Sequence, residues 1–263
     1  MQKPLNYRFY ATLLDGYQNY LSSSEIYNKY WGFSDEPELS EEEFEQKQFQ
    51  SLIDRINRVP FDSEPADQGT AFNEIVDCII LKSKSTKMEV ESIKQLDAND
   101  KEITVAFKAT YNEREYIFPA VLCFEFANYY KGAIPQVHVE STIETKYGVV
   151  LLYGYIDELM PLAVCDLKTT KSYTVGDFKN HWQHIVYPYC LNQNGNSVFD
   201  FEYNIAVINR LKSGAVNWET HTEYYAFNPE IDIPRLTKHV EGLIEFLEAN
   251  KHLITDKKIF NQY

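Results

Sequence analysis

Cysteine, long apolar runs and basic charge are all scarce in this chain of 263 residues, and each shortage excludes a class of protein. The four cysteines, Cys78, Cys123, Cys165 and Cys190, form no C-x-x-C pair. A disulfide framework, a zinc ribbon and an iron–sulfur cluster are therefore not expected. No apolar run of about 18 residues occurs, so we expect no membrane span. The first residues lack the apolar core and cleavage site of a signal peptide, and we therefore expect a cytoplasmic protein.

The charge balance is strongly acidic, with a net charge of −14. The first 77 residues contain 15 acidic and only 6 basic side chains. A broad basic surface for nucleic acid is excluded by this balance. A local site for a polyanion stays open if a divalent metal supplies the positive charge. The motifs G-x-x-x-x-G-K-[ST], H-E-x-x-H and G-x-S-x-G are absent, so a P-loop motor, a zinc protease and a nucleophile elbow are not supported.

Aromatic residues are abundant, with 16 Phe and 20 Tyr in a chain that is 44% hydrophobic. This composition indicates a globular protein with a sizeable core. Neither an internal repeat nor a Gly/Ser-rich linker divides the chain. We therefore predict one domain over residues 1–263, with a helical N-terminal part over 1–68 and an α/β core over 69–263.

The periodicity of apolar residues predicts a layered α/β domain, because helices bracket a run of strands. Besides short helices within 8–30 and a helix that starts at the capping box Ser40–Glu43, helices are predicted over 69–81, 119–131, 176–193 and 231–250. Strands are predicted over 102–110, 114–118, 136–143, 148–156, 163–169, 200–210 and 217–227, the last two joined by Lys212-Ser213-Gly214. On the helix over 69–81, Asn73 flanks the apolar face and Glu74 is predicted to point to solvent.

Charged residues gather at the end of a predicted apolar hairpin. Asp157 ends the first strand, and Asp166 and Lys168 share one face of the next because side chains alternate along a strand. Two carboxylates in one place repel each other unless a cation lies between them. Mg²⁺ typically uses one or two carboxylates together with phosphate oxygens of the substrate. An ammonium group could then orient or deprotonate a water, or stabilise developing charge.

The following helix brings two more polar side chains toward this hairpin. Gln183 and Tyr187 lie four residues apart and share a face beside the apolar stripe of the helix. We expect both of them to reach the hairpin site and a bound phosphate.

The ordered segments Gly154-Tyr155-Ile156-Asp157, Asp166-Leu167-Lys168-Thr169 and Gln183–Tyr187 resemble the PD-(D/E)XK nuclease superfamily. The resemblance is to its RecB-like exonuclease branch, which shows G-h-h-D, D-h-K-T and Q-x-x-x-Y in this order. Upstream, Gly69 to Asn73 resembles the G-x-x-x-H helix of that branch, with asparagine where the branch usually has histidine. An amide oxygen is a weaker ligand, so the number of metal ions stays open.

The resemblance implies a fold, a reaction and roles for individual residues. The fold is a central mixed β-sheet flanked by helices, a restriction-endonuclease-like core. Asp157 and Asp166, with the backbone carbonyl of Leu167, would hold Mg²⁺ or Mn²⁺, and Lys168 would be the catalytic lysine. Gln183 and Tyr187 would position DNA and the catalytic groups. The reaction is metal-dependent hydrolysis of phosphodiester bonds, which leaves a 5′-phosphate and a 3′-hydroxyl.

Three functions are therefore considered. The first is a metal-dependent deoxyribonuclease, an exonuclease of recombination, repair or phage DNA processing, with DNA as substrate and a recombination or helicase partner left open. The second is a nuclease-like module without activity that binds DNA ends or a partner protein. The third is a restriction-type endonuclease that uses the same site. Glu140 on the preceding strand is a further candidate, since it could match the upstream acidic residue of the branch.

Overall fold

The computed structural model describes residues 5–210 and 216–262, and all statements on structure concern these ranges. The α-helices are α1 Ala11–Leu21, α2 Ser23–Trp31, α3 Glu41–Ile56, α4 Glu64–Leu81, α5 Ala120–Tyr129, α6 Gln183–Gln193 and α7 Pro229–Ala249. The β-strands are β1 Leu5–Tyr10, β2 Glu89–Leu96, β3 Glu102–Tyr111, β4 Arg114–Pro119, β5 Ile134–Thr145, β6 Gly148–Leu159, β7 Ala163–Thr170, β8 Asp200–Arg210 and β9 Val216–Ala226. Two short 3-10 helices, Lys251–Leu253 and Lys257–Phe260, follow α7.

A mixed sheet of six strands forms the centre of the fold. Its order is β1-β6-β7-β8-β9, and β5 pairs with the other edge of β6. The β1–β6 and β7–β8 pairs are parallel, whereas β5–β6, β6–β7 and β8–β9 are antiparallel. A separate antiparallel sheet contains β2, β3 and β4. The prediction of an α/β fold with a mixed sheet and flanking helices is therefore confirmed.

Helices cover both faces of the sheet, so the protein has two apolar cores. On one face, residues of α1, α3, α6 and α7 pack on the sheet. On the other face, α4 and α5 pack together with the three-stranded sheet. Strand β7 shows the division clearly, because Val164 belongs to the first core and Cys165 and Leu167 to the second. This alternation turns Asp166 and Lys168 toward α6.

Strand β6 changes its partner along one edge, and this change determines where the candidate site lies. Residues 149–153 of β6 pair with β1, whose last pair joins Tyr10 to Tyr153. Glu158 and Leu159 pair instead with β7. Between these two partners, residues 154–156 have a paired neighbour only on the β5 side, and no partner is paired with Asp157, among the residues described. A gap therefore opens between the end of β1 and the body of β7.

Local signals set several of the helix ends. Ser40 accepts a hydrogen bond from the Glu43 amide and donates its own amide to the Glu43 carboxylate, at 3.2 and 2.8 Å. The predicted capping box is therefore confirmed. Helix α4 begins at Glu64, earlier than the predicted residue 69, because Ser63 caps it and Pro65 suits its first turn. Helix α7 begins with Pro229 after the cap Asn228.

The N-terminal part is not entirely helical as predicted over 1–68. Leu5–Tyr10 form β1, and the parallel pairing with β6 holds them in the central sheet. A boundary at residue 68 also falls inside α4. The N-terminal helices α1 and α3 share their apolar core with α6 and α7, so they belong to the body of the fold.

Three other predictions differ from the structure, and one strand was not predicted. Helix α6 begins at Gln183 instead of residue 176, because Gly176 has a φ of 87° and Asp177 accepts a hydrogen bond from the Thr174 amide in a turn. Strand β6 runs through Asp157 to Leu159. Strand β2 was not predicted. Glu74 is buried and not solvent-facing, because Lys87 lies 2.7 Å from its carboxylate and neutralises it. The predicted connection over 212–214 lies outside the described residues.

None of the described helices is both long enough and apolar enough to span a membrane. The four cysteines are unpaired thiols, and Cys78 is the one that is only half-buried.

Truncating Phe72 tests the core between α4 and the three-stranded sheet. Its ring is 0% exposed and lies 5.1 Å from that of Phe118 and 5.4 Å from that of Phe126, measured between centroids. We expect Phe72→Ala to lower the free energy of unfolding by about 3–5 kcal/mol, because a cavity replaces the ring. Urea denaturation measures this loss. The control Phe33→Ala, at a fully exposed ring, should change it by less than about 0.5 kcal/mol, and equal losses would contradict the assignment.

Candidate functional site

The gap beside β6 opens into a cavity of about 420 Å³, and five residues singled out from the sequence line it together. These residues are Asp157, Asp166, Lys168, Gln183 and Tyr187. The rest of the wall comes from the end of β1, the first turn of α1, the second residue after α3 and the middle of β6. Its members are Tyr10, Ala11, Thr12, Arg58, Tyr153, Gly154 and Tyr155.

Asp166 is held by the two side chains beside it. Gln183 Nε2 donates to Asp166 Oδ1 at 2.8 Å, and Lys168 Nζ lies 2.6 Å from Asp166 Oδ2. Lys168 also donates to Gln183 Oε1 at 2.9 Å, which closes a ring of three polar groups. The carboxylate is only 2% exposed, so these contacts offset the cost of its burial. Its orientation relative to the cavity is therefore well defined.

Asp157 lines the same cavity from β6, four residues after the last residue of β6 that pairs with β1. Its Oδ2 accepts a hydrogen bond from the backbone amide of Leu167 at 3.0 Å. Burial raises the pKa of Asp157, and the charge of Asp166 raises it further, whereas Lys168 and the Leu167 amide act in the opposite direction. The contact found for Leu167 thus uses its amide, and the role of its carbonyl stays a prediction.

Lys168 is a charged ammonium group in this arrangement. Burial lowers its pKa, but the charges of Asp166 and Asp157 outweigh burial, so that the net shift is upward from 10.5. Its Nζ also lies 5.7 Å from the centroid of the Tyr203 ring, which adds a favourable contact for a cation.

The ring of Tyr187 packs directly against Gly154. A Cβ atom on Gly154 would lie 2.5 Å from Cε1 of Tyr187, so only glycine leaves room for the ring against β6. The Tyr187 hydroxyl accepts a hydrogen bond from Gln183 Nε2 at 3.3 Å. Burial raises the pKa of Tyr187 far above 10, and the phenol is therefore neutral. The glycine of the Gly154–Asp157 segment thus positions α6 next to the two aspartates.

Asp15 on α1 contributes to the position of the candidate site, and no sequence pattern indicated it. Its carboxylate accepts a hydrogen bond from the backbone amide of Trp182, directly before the first residue of α6. The contact fixes the start of the helix, and therefore the position of Gln183. Burial raises the pKa of Asp15 to about 7. In the sequence it is an acidic residue between the apolar positions Leu14 and Tyr17.

Three predicted site residues, Leu167, Asn73 and Glu140, do not line the cavity. The side chain of Leu167 belongs to the core on the α4 side. Asn73 is on α4, on the opposite face of β7 from α6, and its buried Oδ1 has no hydrogen-bond partner among the described residues. Gly69, one turn earlier, packs α4 closely on β7, since a Cβ there would lie 3.3 Å from Thr169 Oγ1. Glu140 is exposed and pairs with Tyr153, four residues before Asp157, which corresponds to about 13 Å along the strand.

The two aspartates provide the donors that a hard divalent cation requires. Among the residues that the structure describes, no group of three or more His, Cys, Asp or Glu side chains is placed to hold a metal ion. A pair of carboxylates is nevertheless sufficient for Mg²⁺ or Mn²⁺ when water and phosphate oxygens complete the shell. Asp166 Oδ2 accepts no hydrogen bond with good geometry, although it faces Lys168. The donor set therefore fits a two-carboxylate cation site.

A second pair of carboxyl groups lies on the α4 side of β6, next to Asp157 in the chain. Glu158 is 0% exposed, and neither of its oxygens has a donor among the described residues. Its carboxyl group lies near that of Asp77 on α4. Burial raises the pKa of Glu158 well above its usual value, and the contact with Asp77 raises it further. Burial and the nearby Asp77 thus favour the neutral form of Glu158.

Comparisons with known proteins add nothing to this description. No family model, no curated protein and no solved structure matches the chain.

The raised pKa of Glu158 predicts how stability depends on pH. Folded Glu158 keeps a proton that the unfolded chain loses above about pH 4.5, so the folded state loses stability as pH rises through and beyond that value. The Glu158→Gln variant has no ionisable group at this position. We expect its free energy of unfolding to fall less steeply with pH, by up to about 1.4 kcal/mol per pH unit. Urea denaturation in EDTA near pH 5, 7 and 9 measures both proteins. Curves that fall in parallel would contradict the raised pKa of Glu158.

Adding one methyl group at Gly154 tests the contact with Tyr187. We expect Gly154→Ala to destabilise the protein by about 1–3 kcal/mol, because the new Cβ overlaps the ring. The double variant Gly154→Ala with Tyr187→Leu should recover part of this loss, since the overlapping atoms are removed. Thermal unfolding of the single and double variants measures the coupling. Additive losses would show that the two residues do not constrain each other.

Proposed function

We propose that this chain is a metal-dependent deoxyribonuclease with a restriction-endonuclease-like core, and that it acts as an exonuclease. One observation carries the proposal: Asp157, Asp166 and Lys168 line one cavity together with Gln183 and Tyr187. These are the residues whose order in the sequence resembles the RecB-like branch. Their placement on β6, β7 and α6 supports the same assignment, because three separate elements contribute to a single site.

The proposed cofactor is Mg²⁺ or Mn²⁺, held by Asp157 and Asp166 with the Leu167 carbonyl. When bound, such an ion polarises a phosphodiester and lowers the pKa of a coordinated water. The protein's own contribution is to hold the two carboxylates at the wall of one cavity. Gln183 orients Asp166, and Tyr187 supports Gln183. Asp15 fixes the start of the helix that carries both.

Lys168 is proposed to stabilise negative charge on the phosphate during hydrolysis. Its ammonium form follows from the neighbouring carboxylates, and a charged lysine is a donor that cannot accept a proton. Of the roles considered for this residue, charge stabilisation therefore fits its surroundings better than deprotonation of water. Its contact with Gln183 points the amine at the cavity.

A module without activity is the second candidate, and the position of Asn73 favours it. The RecB-like branch has histidine at the corresponding helix position, whereas Asn73 does not line the cavity in the described part of the chain. Such a module would bind DNA ends or a partner protein without cutting. It differs from the nuclease in one property that is easily measured, because it requires no divalent cation.

Substitution of Asp166 and Lys168 tests the proposed reaction. With Mg²⁺ or Mn²⁺, labelled single- and double-stranded DNA should be cut by the wild type, and Asp166→Ala or Lys168→Ala should lower the rate by about 100-fold or more. Asp35→Ala and Lys101→Ala, at exposed positions, serve as matched controls and should cut normally. Closed circular plasmid should stay intact, because an exonuclease requires an end.

Titration calorimetry with Mn²⁺ completes the test. Binding that is lost in Asp157→Ala supports the nuclease. No DNA cleavage together with no Mn²⁺ binding would overturn it in favour of the binding module, and cleavage of closed circles would favour a restriction-type endonuclease.

A further inference from the structure

A second cavity adjoins the first and extends it along α3. Its volume is about 520 Å³, and it shares Tyr10 and Arg58 with the cavity that contains the two aspartates. The two cavities therefore form one groove, which starts at Asp157 and continues past the C-terminal end of α3. We call this continuous surface the α3 groove.

The α3 groove concentrates positive charge in the most acidic part of the chain. Only 6 basic residues occur among the first 77, against 15 acidic ones. Three of those six, Lys47, Arg55 and Arg58, line the second cavity, where Asp54 is the single acidic lining residue. Lys47 and Arg55 are eight residues apart on α3, about 12 Å along its axis. This local excess of positive charge is complementary to a polyanion.

Arg58 lies where the two cavities meet, and its position is firmly defined. Its guanidinium donates to the Tyr153 hydroxyl at 2.8 Å and lies 2.8 Å from the Asp256 carboxylate. These contacts use two of its five N–H donors. Its φ of 53° is in the left-handed region, which costs a non-glycine residue energy and directs the chain around the end of α3. Arg58 is therefore held toward the groove with donors to spare for an anion.

The first turn of α1 adds a second source of positive potential at the same place. Ala11 and Thr12 line the cavity beside Arg58. Helix α1 has no side-chain cap and no acidic residue in its first turn, so its positive end is not neutralised locally. A phosphate next to the aspartates would thus meet both a guanidinium and the positive end of a helix.

Exposed apolar side chains accompany these charges. Phe61, in the wall of the groove, is 77% exposed, and Tyr155, beside Asp157, is 58% exposed. Aromatic rings next to basic side chains are typical of surfaces that bind single-stranded nucleic acid, because unpaired bases stack on them. Paired bases in a duplex do not offer their faces to such rings.

We propose that the α3 groove guides a single DNA strand to the aspartates, and that Arg58 binds the phosphate next to the one that is cut. This inference rests on the proposed nuclease function and adds the form of its substrate. Arg58 is here a substrate-binding residue, and Lys47 and Arg55 attract the strand farther from the cut.

Fluorescence anisotropy tests the groove separately from cleavage. The probe is a labelled oligo-dT of about 15 nucleotides in Ca²⁺ at low salt. Arg58→Ala should weaken binding about 10-fold and reduce the slope of log affinity against log salt by about 1. Arg58→Lys should lie between it and the wild type, and Lys47→Ala should weaken binding about 3-fold. The control Lys94→Ala, at an exposed lysine on the three-stranded sheet, should bind as the wild type.

A purely structural role of Arg58 is tested with Asp256→Asn. This substitution breaks the ion pair but keeps the guanidinium, so the proposal expects binding at least as tight as in the wild type. Weakening in Asp256→Asn equal to that in Arg58→Ala would overturn the proposal.

The remaining outcomes distinguish a failure of the groove proposal from a failure of the nuclease proposal. DNA cleavage by the wild type with unchanged binding in Arg58→Ala would overturn the groove and leave the nuclease standing. Arg58-dependent binding of a matched duplex or of oligo-U that is tighter than the binding of oligo-dT would also overturn the proposed role of the groove. No binding and no cleavage by the wild type would contradict the nuclease itself.

Discussion

The change of partner along one edge of β6 is the constraint on which the candidate site depends. Strand β1 pairs with the first half of β6 and β7 with its last two residues, and the stretch between them borders a gap. Asp157 lies on that stretch, Asp166 is on the strand that diverges from it, and α1 begins where β1 ends. One feature of the sheet thus brings the carboxylates, a helix N-terminus and Arg58 to a single cavity.

The α6 side and the α4 side of this edge differ in how their buried carboxyl groups are compensated. On the α6 side, Asp166 is compensated by an ammonium group and an amide, and Asp157 by one backbone amide. On the α4 side, burial and the nearby Asp77 raise the pKa of Glu158, which favours its neutral form. The first arrangement keeps negative charge facing a cavity, whereas the second removes it. These buried carboxyl groups are thus either compensated by donors or shifted toward the neutral form.

The sequence contained enough to predict the residues that lie near one another in the chain, and not those that long-range packing adds. Alternation along β7 placed Asp166 and Lys168 on one face, and helical spacing placed Gln183 with Tyr187, because both patterns are local. Asp15 meets Trp182 across 167 residues, and Arg58 meets Tyr153 across 95, so no local period indicates either contact. Glu74 was misjudged for the same reason, since Lys87 lies outside its helix.

A crystal soaked in Mn²⁺ tests the central claim most directly, by anomalous diffraction at a wavelength where manganese scatters strongly. The account predicts one strong peak between the carboxylates of Asp157 and Asp166, at about 2.0–2.2 Å from an oxygen of each. It also predicts that the peak disappears in crystals of Asp157→Ala. A peak elsewhere, or no peak while both side chains keep the positions described, would contradict the view that the gap beside β6 is a cation site.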